Sequence, residues 1–136
     1  MGQSTDAILC WGLKVGGEDE GCPWEDKARE AGFDDPFSDE AFAYFMIGEK
    51  YVSWLKAREE MKKVDVELIT HCYWDYPMYI LAVRASNKTA SRGSPESIPD
   101  DYLTVPPQWV EAIIEACKKL GIEYESPGWI LCSYWC

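Results

Sequence analysis

The sequence predicts an α+β fold, and three observations carry that prediction. Alternating apolar residues mark a strand near each end, "TDAILCWGL" and "GWILCSYWC". Between them, "VDVELITHCYWDYPMYILAVRAS" reads as two strands, roughly 64 to 72 and 78 to 86, joined by a short turn around Trp74 to Pro77. Helical spacing occupies the two remaining intervals. The order is therefore βαββαβ within a single domain, residues 1–136. That is the ferredoxin-like split βαβ pattern, a four-stranded antiparallel sheet with two helices on one face and the last strand antiparallel beside the first.

In the first strand Ala7, Leu9, Trp11 and Leu13 alternate with Asp6, Ile8, Cys10 and Gly12. Apolar residues on both sides describe an inner strand. "KVGGEDEGCPWEDKAREAGFDDPF" follows, with Pro23 and Pro36 as breakers, and reads as a long loop holding one short helical turn at Trp24 to Glu30. Ser38 can cap a helix opened by Asp39 and Glu40 and closed by Lys62 and Lys63, charges that suit the two ends of the helix dipole. Gly48 in its middle predicts a break or bend. Pro77 cannot donate to a ladder, which places it at the hairpin turn or at the first residue of the next strand. Residues 86 to 106 form a second polar loop. Pro107 then opens the clearest helix, with Trp109, Val110, Ile113, Ile114, Cys117 and Leu120 at helical spacing and Gly121 at its C-cap.

Charge and cysteine content narrow the chemistry. The chain carries a formal charge of −11, and residues 18 to 40 hold ten acids against Lys27 and Arg29, a net of −8. Phosphate binding needs a basic surface, so nucleic acid is not expected as a direct partner, and a basic protein surface is the natural complement. No apolar run is long enough to span a membrane. The opening "MGQSTDAILCWGLK" lacks the positive region of a signal peptide, and Asp6 breaks a myristoylation pattern, so no membrane association and a cytoplasmic location are expected. In that reducing compartment Cys10, Cys22, Cys72, Cys117, Cys132 and Cys136 read as buried free thiols. No zinc-type spacing, phosphate loop or nucleotide fingerprint occurs, so neither a metal nor a cofactor is expected.

The blocks "STDAILCWG", "THCYWDYPMYILAV" and "PGWILCSYW" resemble a family of small uncharacterised proteins encoded by tailed bacteriophages and prophages. The three blocks are the sheet strands and hold 32 of the 136 residues; the acidic segment and the loop at 86 to 106 lie outside them. The resemblance implies a phage accessory protein in the host bacterial cytoplasm. Small phage proteins of this kind act by binding host machinery, so the expected function is to bind and modulate or inhibit a host protein, a component of antiviral defence included.

The residues expected to meet that partner are Glu18, Asp19, Glu20, Trp24, Glu25, Asp26, Phe33, Asp34, Asp35 and Phe37, aromatic anchors set among charges that steer encounter with a basic surface. The bland alternative is a solvated loop. A second hypothesis is a small enzyme or small-ligand binder built on His71, Cys72 and Asp75, in which a Cys/His pair makes an activated thiolate. Neighbours on a strand point to opposite faces, so a thiol partner for His71 would have to be Cys10 or Cys132. A third is a virion assembly or structural protein. Trp11, Trp129 and Trp135 share the parity of Leu9 and Leu131, and they either pack beneath the helices or line an open sheet face.

Overall fold

The computed structural model describes residues 5–17, 20–73 and 76–135, the side chains of residues 5, 72, 73, 76, 134 and 135 excepted. The fold is α+β, but the expected four strands and two helices become five and four among the described residues: β1 (Thr5–Gly17), α1 (Glu25–Glu30), α2 (Asp39–Ile47), α3 (Trp54–Met61), β2 (Val66–Tyr73), β3 (Tyr76–Val83), β4 (Lys88–Ala90), α4 (Pro107–Leu120) and β5 (Gly128–Trp135). The extra strand, β4, sits inside what reads as a polar loop. It is only three residues long and pairs with β1 from Ala7↔Ala90 to Leu9↔Lys88, too short for periodicity to show.

Gly48 ends α2 outright. Its φ of 91° gives a left-handed C-cap whose N–H bonds to the Tyr44 carbonyl, and a fresh N-cap at Ser53 opens α3. Ser38 caps α2 as expected, its Oγ accepting from the Ala41 N–H at 3.1 Å. Pro107 and Gly121 bound α4 as expected, Gly121 with a φ of 73°.

β1 organises the sheet. It runs antiparallel to β5 from Thr5↔Trp135 to Gly12↔Gly128, so the C-terminal strand does lie beside the first. On its opposite edge it pairs with β4 and then, from Gly12↔Ala82 onward, with β3. β2 and β3 form a hairpin in register from Val66↔Val83 to Tyr73↔Tyr76, with Pro77 as the second residue of β3. A short parallel pairing, Cys72↔Tyr134 and Tyr73↔Trp135, joins β2 to β5. The pairings thus close on themselves from β1 through β3, β2 and β5, instead of leaving an open four-stranded sheet. Gly12 makes the exchange of partners possible: a Cβ there would lie 2.0 Å from the Leu81 carbonyl oxygen.

Closure gives the sheet two cores. Towards the helices, Trp11, Leu13, Val15, Val66, Leu81 and Val83 pack with Phe42, Met46, Ala57, Met61, Ile113, Ala116, Cys117 and Leu120. On the other face Ile8, Cys10, Ile69, Ile80 and Ala82 form a smaller cluster, joined by Ile130 and Cys132. Ser86 secures the crossover from β3 to β4. Wholly buried, its hydroxyl donates to the Val83 carbonyl at 2.6 Å and accepts from the Trp11 N–H at 2.9 Å.

Candidate functional site

The acidic segment is a docked element with its aromatics turned inward. Trp24 is 1% exposed, and its indole N–H donates to the Pro36 carbonyl at 2.8 Å, which ties the two ends of the segment together. The Phe37 ring stands edge-on to Trp24 at 5.4 Å and stacks on Tyr79 of β3 at 4.0 Å. Phe33 is half-buried against Tyr44, and the Lys50 ammonium lies 5.8 Å from its ring. An Asp35 Oδ1 accepts from the Phe37 N–H at 3.0 Å, fixing the turn before α2. Trp24 is therefore not a surface anchor, and Phe33 and Phe37 are core contacts: large apolar rings gain more by joining the adjacent core than by standing in water.

The carboxylates stay outside. Glu20, Asp26, Glu30, Asp34, Asp35 and Asp39 are exposed, whereas Glu25 is half-buried and pairs with Arg29 at 2.7 Å. A bridge between Gly17 and Gly21, with N···O distances of 3.1 and 2.8 Å, ties the end of β1 to the segment. Glu18 and Asp19 lie outside the described residues. The outcome is an acidic surface held in place by rings buried beneath it.

The second set of candidates sits on the smaller core's face of the sheet. His71 shares the parity of Ile69, and Cys10 and Cys132 belong to the same face. Burial pushes the Cys10 thiol up to about 12, and neighbouring Cys132 and Glu67 push in the same direction. Cys22 is likewise raised to about 12, chiefly by burial, and burial raises Cys117. Burial also lowers the proton affinity of His71, and the charge of Lys14 lowers it further. A protonated thiol is a poor nucleophile, so these environments favour packing over thiolate chemistry. Asp75 and the side chain of Cys72 lie outside the described residues, among which no group of three or more His, Cys, Asp or Glu side chains is placed to hold a metal.

The tryptophans belong to the helix side. Trp11 lies 6.2 Å from Trp109 of α4, and Trp109 lies 6.0 Å from Trp129 of β5, whose indole N–H donates to the Leu103 carbonyl at 3.1 Å. Trp135 has its side chain outside the described residues. An exposed apolar group not anticipated from sequence, Val52 before α3 with Trp54 and Leu55 in its first turn, stands where α2 gives way to α3, with the Arg58 guanidinium 5.7 Å from the Trp54 ring. The interruption at Gly48 was its only sequence signal. No helix among the described residues is long and apolar enough to cross a membrane. Compared with known proteins, the chain matches no family model, no curated protein and no solved structure.

Proposed function

We propose that this protein is a non-enzymatic binding protein that presents a preorganised acidic surface to a basic surface of a partner protein and, by covering it, modulates or inhibits that partner. One observation carries the proposal: the aromatics of the acidic segment are spent on fixing it to the core, while its carboxylates stand in solvent. A loop that only kept the chain dissolved would need no such anchoring. Fixed charges lose little conformational entropy on association and accelerate encounter with a surface of opposite sign. The resemblance of the strand blocks to phage and prophage proteins makes a bacterial host protein the partner, with nucleic-acid-binding defence proteins first to test, because their basic surfaces accept a negative mimic.

Affinity capture from host lysate at low and at high salt tests this. The expected result is one identified partner with a basic contact surface, retained at low salt, released at high salt and absent when Glu20, Asp26, Glu30, Asp34 and Asp35 are amides. A partner that is retained at high salt, and by the amide variant as well, would overturn it.

A further inference from the structure

Among the described residues, the circuit of pairings is incomplete between β2 and β5 and leaves part of the β2 edge open. Among the described residues β5 pairs with β2 at Cys72 and Tyr73 alone, so residues 66 to 70 of β2 have a strand neighbour on the β3 side alone. The Arg84 N–H donates to the Asp65 carbonyl at 2.7 Å, which sets the alternation of the β2–β3 ladder. Residues 67, 69 and 71 turn their backbone groups towards β3, and Val66, Leu68 and Thr70 turn theirs to the open edge. The Arg84 guanidinium reaches round and covers the Val66 carbonyl at 3.3 Å. The N–H and C=O groups of Leu68 and Thr70 have no partner among the described residues.

A groove of about 560 Å³ follows this edge. Four consecutive β2 residues, Glu67 to Thr70, line it together with Phe42 and Met61, and Arg58 and Lys62 stand on its α3 wall. Glu67 is already engaged by Arg84 at 2.7 Å and by Asn87 at 3.0 Å. Arg58 and Lys62 form no close ion pair among the described residues, although the charge of Arg58 acts on Asp39, which shares the groove.

We infer that the β2 edge is a peptide-binding site that takes an extended, acidic segment of a partner protein by strand addition. The ligand's main chain pairs with the free N–H and C=O groups of Leu68 and Thr70, alternate side chains enter the groove above Phe42 and Met61, and a carboxylate meets Arg58 and Lys62. Main-chain pairing supplies affinity, and the two cations select acidic sequences. This site shares only Asp39 with the acidic surface and would survive the failure of the function proposed above.

The test is selection of a fully random displayed library, with peptides of about nine residues, on the full chain. Recovered peptides should carry a carboxylate and should protect the Leu68 and Thr70 amides from hydrogen exchange. They should lose about fivefold in affinity for each β2-facing amide that is N-methylated, since one lost hydrogen bond is worth about 1 kcal/mol. Thr70→Pro should weaken them at least as much, because its N–H faces outward and the ladder to β3 is kept. Arg58→Gln should weaken acidic peptides several-fold. If Thr70→Pro fails to fold, exchange protection and N-methylation on the unaltered chain decide the matter. A library yielding no binder, binders that leave Leu68 and Thr70 unprotected, or N-methylated peptides that bind as well as their parents would overturn the inference. A dimer of this chain in which the same two amides become protected would also overturn it, since the edge would then serve a second copy.

Discussion

Trp24 has the largest side chain among the fully buried residues of the described chain, and it belongs to a stretch whose composition suggests solvent. Replacing it with alanine removes an indole packed against Phe37 and Phe42 and releases its bond to Pro36. A loss of about 3 to 5 kcal/mol is expected, a large share of the stability of a small domain. Trp54→Ala, at a ring 49% exposed, should cost less than about 0.5 kcal/mol. Urea midpoints of the two variants check both figures, and similar midpoints would mean that the acidic segment is not docked. Cys10 gives a prediction in pH. Its folded-state affinity for the proton is raised from 9.0 to about 12, so the stability it contributes is complete below pH 9 and is lost as pH rises towards 12, where the unfolded thiol ionises first. Between pH 8.5 and 10.5 the urea midpoint of Cys10→Ala should therefore fall less than that of the parent. Equal falls would show that the thiol ionises as easily folded as unfolded.

Among the elements, β5 bears most on β1. Deleting residues 128 to 136 strips β1 of its partner from Thr5 to Gly12 and removes Ile130 and Cys132, which pack against the smaller core. Cooperative thermal unfolding should vanish, and a truncated chain with an unchanged melt would mean that β5 is dispensable. Gly48→Ala acts more locally, forcing a Cβ into a left-handed conformation at a cost of about 1 kcal/mol, to be read from the same melts. How legible these elements were follows from the range over which each is decided. Pro107, Gly121, Ser38 and Gly48 act on their immediate neighbours, so the helix ends could be read directly. β4 exists because β1, paired with β5 on one side from Thr5 to Gly12, offers its other edge at Ala7 to Leu9, and the closure of β2 on β5 depends on a partner exchange at Gly12. Those facts join residues far apart in the chain, and alternation within one segment carries no trace of them. The orientation of Trp24, Phe33 and Phe37 was hidden for the same reason, since the surface that buries them comes from α2 and β3. The acidic half of the candidate site was legible because exposed charge needs no tertiary context.

For the whole molecule the deciding feature is the separation of charge from packing. The exposed carboxylates of the acidic segment make no ion pair among the described residues, the half-buried Glu25 being the one that pairs with Arg29, so removing their charge takes little from the fold. Converting Glu20, Asp26, Glu30, Asp34 and Asp35 to amides changes the net charge from −11 to −6, keeps every side-chain volume nearly constant and leaves the Trp24–Pro36 bond in place. The melting temperature should hold or rise slightly as repulsion among like charges falls. Partner binding should weaken chiefly through the on-rate, because attraction between opposite surfaces acts before contact, whereas the dissociation rate depends on short-range packing. The difference between parent and variant should shrink as salt rises and the screening length falls towards about 8 Å. Stopped-flow association with the captured partner, measured across a salt series, reads this directly. A variant that associates at the parent rate in low salt would reduce the acidic segment to a solubilising surface. A variant that associates at the parent rate but dissociates faster would mean that these residues make close contacts and do not steer, which would move the recognition chemistry from field to interface.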